Sequence, residues 1–434
     1  MQASMLLNNL RMKKIIGYGL LLLTATACKK QEVAWERPDK KLGELIAQYE
    51  TQLTTAPNGW IGYLFPEGGG GYTFKFVFTP DNRVRTQAAM NAAYATTAKE
   101  SSYRLKATQV ISLYFDSYSY LHELSDPDPA KSGGAAGQGL VSDFEFSILN
   151  VSPDTLRLKG NLNGSELLLV RANANQGADY IERAFLYNQY VNEVNGFSNY
   201  FNKIEIADRT YGITINTEIN TVSFYYGSDD DFKRFNTEYA VADDGIILRT
   251  PFNDGALTIT SLNDFDIEPD EYRATLKVND EIDAVILNLP EPFIIDRDAP
   301  RRMYIESYVY SSSTGVNFSG TFDIFDVRSI PGFVRMVYEP RYYVDNYDIL
   351  FTVFNNGANT VGPVFRTAFN SEGIMDFSNY LGLSGTNPGA AHLPKIQNTA
   401  AIWTDPEGFY AYQTGKNAYD LVSVSDGRIW IRFR

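Results

Sequence analysis

The 434-residue chain has one cysteine, Cys28, and two histidines, His122 and His392. A single thiol excludes disulfides and any metal site built from several cysteines. With two histidines and no G-x-S-x-G turn, the sequence offers no recognisable serine hydrolase. The segment "HELSDPD" lacks the second histidine of H-E-x-x-H, so a zinc-peptidase helix is not written here. Positive charge is also scarce: 38 Lys and Arg stand against 52 Asp and Glu, for a net charge of −14. That balance argues against nucleic acid and against anionic lipid headgroups as partners. No apolar run reaches the roughly 20 residues that a spanning helix needs.

The longest apolar run, Ile15–Leu23, follows Lys13 and Lys14 and leads through Ala25, Thr26 and Ala27 to Cys28. Basic, apolar and small residues in that order form a secretory signal, and Met12 is its more natural start. The small residues before Cys28 resemble the lipobox of bacterial lipoproteins, where the thiol is acylated and becomes the mature N-terminus. Ala25 stands where leucine is usual. An unpaired exported thiol is otherwise exposed to oxidation, so lipidation at Cys28 accounts for the count. The expected layout is a signal over 1–27, then a polar tether over 28–39. Removing the leader takes away three positive charges and leaves −17.

What the chain does hold in quantity is aromatic: 29 Tyr and 27 Phe. Such residues suit half-buried pleated surfaces. In "YTFKFVFT" Phe74, Phe76 and Phe78 share one face, with Thr73 and Lys75 on the other. Further strands are expected at "SSYRLKA", "ISLYFDSYSYL", "SDFEFSIL", "TLRLKG" and "SELLLVRA". The glycine-rich stretch 131–139 reads as a mobile loop. The fold class is mainly β: antiparallel barrel- or sandwich-like domains with a few short helices. Helical spacing appears at 40–55, with Leu42, Leu45, Ile46 and Tyr49 in register, and at 178–203. Expected borders are 40–175 for an N-terminal β domain, 176–299 for a helix with a second β-rich region, and 300–434 for a C-terminal β domain. In the last strand Ile429, Ile431 and Phe433 alternate inward. The three segments share a loose design of aromatic strand, acidic-Gly turn and strand, too unevenly spaced for a solenoid or propeller.

"APNGW" (56–60), "GGYTFKFVF" (70–78), "LYFDSYSYLHELSDP" (113–127), "GQGLVSDFEF" (137–146) and "DTLRLKG" (154–160) together resemble a family of Bacteroidetes lipoproteins of unknown function. The likeness covers about residues 40–250. It implies an acylated N-terminus at the outer membrane, on its surface or periplasmic face, and genes near outer-membrane nutrient-uptake systems. It implies no activity.

One constellation invites chemistry. If 114–122 is one continuous strand, Asp116, Tyr118, Tyr120 and His122 share a face, and Asp143 and Glu145 share another opposite Phe144 and Phe146. Turned into a barrel mouth, they form an acidic pocket around one imidazole, suited to a divalent cation or a cationic ligand group. The plainer alternative is that these polar faces meet solvent while Phe115, Phe144 and Phe146 pack the core. "SDPDPAKSGG" (125–134) starts like a calcium loop but has Ala130 and Lys131 where ligands belong, and "SDDDF" (228–232) reads as a hydrated turn. "EGGGGY" (67–72) reads as a tight hairpin, not a phosphate loop. Trp60, Trp403 and the tyrosines of "RYYVDNY" (341–347) are candidates for stacking on sugar rings, against a core role. No cofactor is expected. The expected role is a non-catalytic binding or accessory component of an uptake system, with an unidentified small-molecule, glycan or peptide ligand. A carboxylate-dependent hydrolase and a structural or adhesive β-protein stand as alternatives.

Overall fold

A computed structural model describes residues 38–107, 110–342 and 347–434. Cys28, the expected leader and most of the expected tether lie outside the described residues. Among the described residues no helix is long and apolar enough to cross a membrane.

Residues 38–51 make up most of a helix spanning Pro38–Thr54. A Lys40–Glu44 pair at 3.6 Å ties one turn to the next on its surface.

From Gln52 onward the chain is built of antiparallel sheet. Strands β1–β8 run from Trp60–Phe65 to Glu166–Arg171, with β5 at Ile111–Phe115 and β6 at Glu145–Val151, and form a closed eight-stranded barrel, each strand beside its neighbour in sequence. Closure comes from β1 pairing β8, with Trp60 opposite Arg171. The interior is filled by side chains, as is usual at this strand number. Phe74, Phe76, Phe115 and Phe146 are each 1% exposed or less, and their rings touch in series, Phe76 to Phe115 at 5.3 Å. The inward face read from "YTFKFVFT" is therefore the core. Its outward face is covered as well: Lys75 donates from Nζ to the Gln176 carbonyl at 2.6 Å, and Thr73 donates to the Val241 carbonyl.

Strands β9–β16, from Phe201–Ile206 to Ile282–Leu289, close a second eight-stranded barrel around another aromatic and aliphatic core. The helix Tyr180–Val191 packs Tyr180, Ile181 and Ala184 between the two barrels. The expected helix over 178–203 ends earlier than its spacing suggests. Asn192, Asn195 and Gly196 favour a 3-10 turn, and the chain is extended again by Phe201. Gly71 marks the closest approach of the two barrels, since a Cβ there would lie 2.2 Å from the Tyr239 carbonyl oxygen. "EGGGGY" thus serves a tight connection and a close contact together.

A third, nine-stranded sheet follows, from Tyr310–Ser312 (β17), Val316–Phe318 (β18), Arg335–Glu339 (β19), Asp348–Phe354 (β20), Asn359–Phe369 (β21), Ile374–Gly385 (β22), Phe409–Gly415 (β23), Ala418–Ser423 (β24) and Ile429–Phe433 (β25), in the spatial order β17-β19-β20-β21-β22-β23-β24-β25-β18. Its ends are drawn together: Tyr310–Ser312 (β17) pairs with Arg335–Glu339 (β19), and Ser311 exchanges two 2.9 Å bonds with Arg434 beyond the last strand. The helix Leu393–Trp403 delivers Trp403 into its core, where it stacks on Phe377 at 4.4 Å. The terminal strand Ile429–Phe433 (β25) pairs on both sides, and Ile431 and Phe433 are buried, as their alternation implies.

Candidate functional site

The four residues singled out from the sequence are placed on the first barrel and do not converge; His122, Asp116 and Asp143 have side-chain partners of their own. Strand β5 stops at Phe115, and the chain turns into a short helix, Tyr120–Glu123. The continuous strand over 114–122 is corrected by that turn. Ser119 and His122 form a reciprocal capping box: His122 Nδ1 accepts from the Ser119 backbone N–H at 3.2 Å, and its Nε2 donates to the Phe115 carbonyl at 3.1 Å. The imidazole lies between Tyr118 and Phe144, with ring centres 5.7 and 4.6 Å away. Burial pushes its pKa down, more than the Phe115 carbonyl raises it, with Lys99 adding to the decrease. Asp116 is instead paired with Arg104 at 2.8 Å.

Asp143 is buried beneath the turn 161–165. It accepts from the backbone N–H groups of Leu162, Asn163 and Ser165 and from the Ser165 hydroxyl, at 2.8 to 3.0 Å. Its neighbour Phe144 is 38% exposed and belongs to the His122 stack, which corrects its place in the core; Phe115 and Phe146 are core. Glu145 opens strand β6 opposite Tyr114. The calcium-like loop is also internally used: Asp126 accepts from Asp128 N–H and the Tyr118 hydroxyl, and Asp128 caps Ala130. Among the described residues, no group of three or more His, Cys, Asp or Glu is arranged to hold a metal ion. The glycine-rich loop 131–139, read as mobile, is pinned by Gly137 N–H to the Pro127 carbonyl and Leu140 N–H to the Leu124 carbonyl.

Trp60 and Trp403 are core residues, 0% and 1% exposed. Trp60 donates its indole N–H to the Leu53 carbonyl. Neither offers a face to a sugar. The "SDDDF" turn is tied down, not merely hydrated: Arg297 pairs with Asp230 at 2.6 Å, and Lys233 with Asp231 at 2.8 Å.

The open concave surface lies elsewhere. Where the second barrel meets the third sheet, Phe201, Tyr225, Tyr410 and Tyr412 seal an aromatic contact. Beside that seal runs a cleft of about 430 Å³, a ligand-sized volume at a domain junction.

One wall is the outer surface of the second barrel. On strands β10 (Arg209–Asn216), β11 (Thr221–Ser228) and β12 (Asp231–Val241), the core takes Ile213, Ile215, Val222 and Phe224. The alternate positions face out, and their register sets Thr214 opposite Ser223 and Ser223 opposite Asn236. These three form a polar rung, with Tyr225 opposite Arg234 on the next.

The other wall is strand β25, where Trp430, Arg432 and Arg434 alternate with the buried Ile431 and Phe433. Asp420, directly opposite Arg432, is fully buried at its base. It accepts from the Tyr200 hydroxyl at 3.1 Å, from Arg432 at 3.3 Å and from Arg434 at 3.5 Å. Burial, then the charge of Asp420, holds the Tyr200 hydroxyl protonated far above its ordinary range. Burial works most strongly against the charge on Arg432, but Asp420, Tyr200 and Glu218 together offset it and the guanidinium pKa is raised. The carboxylate of Asp420 is thus held in place by three donors at the base of the cleft. A second cavity of about 400 Å³ lies beyond Tyr225 and Arg234, which line both.

Sequence reasoning missed this site, although half of its signal was in view. In "RIWIRFR" the inward Ile429, Ile431 and Phe433 define an outward set of Trp430, Arg432 and Arg434. What no pattern gave was the meeting of that face with a rung about 200 residues earlier.

No curated protein matches the chain. Two solved structures share limited likeness. One is the octameric penicillin-binding protein homologue of Pyrococcus abyssi, at 9% identity and TM-score 0.16, over 38% of this chain and 41% of that one. The other is isotype 1 transferrin binding protein B of serogroup B Neisseria meningitidis, at 8% identity and TM-score 0.14, over 83% of this chain and 65% of that one. The chain spans less than two thirds of either, and the scores are too low to indicate a common fold. A family model, by contrast, matches residues 31–266, the first barrel and most of the second. The chain belongs to the family described as Domain of unknown function (DUF4302).

Proposed function

We propose that this protein is a lipid-anchored, non-catalytic binding protein of the cell envelope, held through Cys28 and serving an outer-membrane nutrient-uptake system. Its ligand site is the cleft between the second barrel and the third sheet. The leader ending in Ala25-Thr26-Ala27-Cys28 supports the anchor, and the resemblance to Bacteroidetes lipoproteins supports the neighbourhood.

The observation that carries the binding role is the cleft itself. It has ligand-sized volume, walls from both the second barrel and the third sheet, and a buried acid engaged by a tyrosine and two arginines. Such an acid holds geometry; a general acid or nucleophile needs a proton or lone pair to spend on substrate. The same cleft favours ligand binding over a purely adhesive role.

Intact mass and N-terminal analysis of the full chain recovered from bacterial membranes tests the anchor. An acylated Cys28 as first residue is expected, with Cys28→Ala released into the soluble fraction. An unmodified thiol within an uncut chain overturns the envelope assignment.

A further inference from the structure

We infer that the cleft takes a neutral, polyhydroxylated ligand, an oligosaccharide without acidic groups. The inference rests on the cleft being the ligand site.

Charge is the first argument. The walls carry Arg234, Arg432 and Arg434 against Asp420, Glu218 and Glu193, so formal charges cancel. The arginines are also occupied. Arg432 and Arg434 converge on Asp420, Arg432 reaches Glu218 at 3.8 Å, and Arg234 donates from Nη1 to the Gln413 carbonyl at 2.5 Å. An anionic ligand competes with Asp420 for the same guanidinium groups, while a cationic one meets three of them. Either charge therefore pays a desolvation cost at a wall whose formal charge is already balanced.

The uncharged lining points to hydroxyl groups. Six asparagines face the cleft, and in several the amide oxygen is already taken. Asn236 accepts from Ser223 at 2.7 Å, Asn192 from Asn195 at 3.1 Å, Asn216 from the Glu218 N–H at 3.0 Å, and Asn202 from Asn288 at 2.9 Å. In these four the oxygen takes the bond, whereas Asn195 and Asn199 donate from their amide nitrogens to Asn192 and Asn288. The lining is thereby biased toward N–H donors at Asn192, Asn202, Asn216 and Asn236. Sugar hydroxyls accept from such groups and can still donate onward. On strands about 4.8 Å apart, the rung Thr214–Ser223–Asn236 repeats polar groups at a spacing that a chain of hydroxyl-bearing rings can follow.

An aromatic surface completes the set. Phe322 is 47% exposed and meets Trp430 edge-on at 6.0 Å, while Arg432 covers Trp430 at 5.0 Å. Phe322 is thus the ring with an open face, backed by Trp430, for the C–H side of a pyranose.

The test is an array carrying neutral oligosaccharides of glucose, mannose, xylose and N-acetylglucosamine, with uronic-acid and sulfated oligosaccharides and a peptide pool beside them, probed with the full chain. The expected result is binding to at least one neutral series, insensitive to salt and weakened about tenfold by Phe322→Ala and by Asn236→Leu. Both residues are exposed, so the variants keep the fold. Binding of only acidic or sulfated sugars, or of only peptides, lost in both variants, overturns the ligand class and leaves the cleft as the site. Neutral-sugar binding untouched by both variants overturns the site as well, as does binding to none of these probes.

Discussion

The first barrel and the junction of the second barrel with the third sheet spend their polar side chains in opposite ways. On the first barrel, His122 caps a helical turn, Asp116 pairs with Arg104 and Asp143 holds a tight turn, so each group is consumed by the residues next to it. At the junction, Asp420 likewise consumes two arginines and a tyrosine and Ser223 is buried against Asn236, but Asn236 itself and the ring of Phe322 are exposed. Polar residues near an aromatic pattern are thus not evidence of a site. What distinguishes one is that two units meet and leave groups that neither unit satisfies alone.

The comparison predicts separable effects on stability and binding. The largest loss of stability is expected from Trp403→Ala, which empties the packed centre of the third sheet and costs about 4 kcal/mol in denaturant unfolding. Asp143→Ala strips four hydrogen bonds from a buried turn, at about 3 kcal/mol, and leaves ligand binding unchanged. Asp420→Ala is expected to cost about 2 kcal/mol, less than for a fully buried pair because Arg434 is half exposed. Unlike the Asp143 change, it frees two guanidinium groups in the cleft, and acidic oligosaccharides gain affinity in a titration. Gly71→Ala forces a Cβ against the Tyr239 carbonyl and lowers stability by about 2 kcal/mol at the contact between barrels, read in denaturant unfolding.

The smallest effect is the pH response of His122. Its pKa is lowered in the folded chain from the ordinary 6.5, so below that pH the unfolded chain takes up a proton that the folded one refuses. Stability therefore falls as pH drops from 6.5 toward the folded pKa. His122→Asn is expected to flatten that slope in unfolding curves measured from pH 7 to 5, with no change at the cleft.

Local pattern made much of the fold legible. The period of two in "YTFKFVFT" and "RIWIRFR" located inward faces correctly, because the first strand lines a barrel interior and the second has one side on the core of the third sheet. It failed where a short side-chain contact overrides the period. The Ser119–His122 capping box turns the chain out of its strand, and Phe144 leaves the core to cover the imidazole. Barrel closure was beyond reach, since it depends on pairings such as Trp60 with Arg171 across the whole domain. The cleft was the least legible feature. Asn236 and Trp430 acquire meaning only through the aromatic seal of Phe201, Tyr225 and Tyr412, which joins segments far apart in sequence.

Hydrogen exchange of the full chain, with and without a saturating pool of neutral oligosaccharides, tests the central claim most directly. Protection is expected over 214–225, 234–236 and 429–434, and none over 116–145. Protection confined to 116–145, or no protection at the junction, would contradict the account.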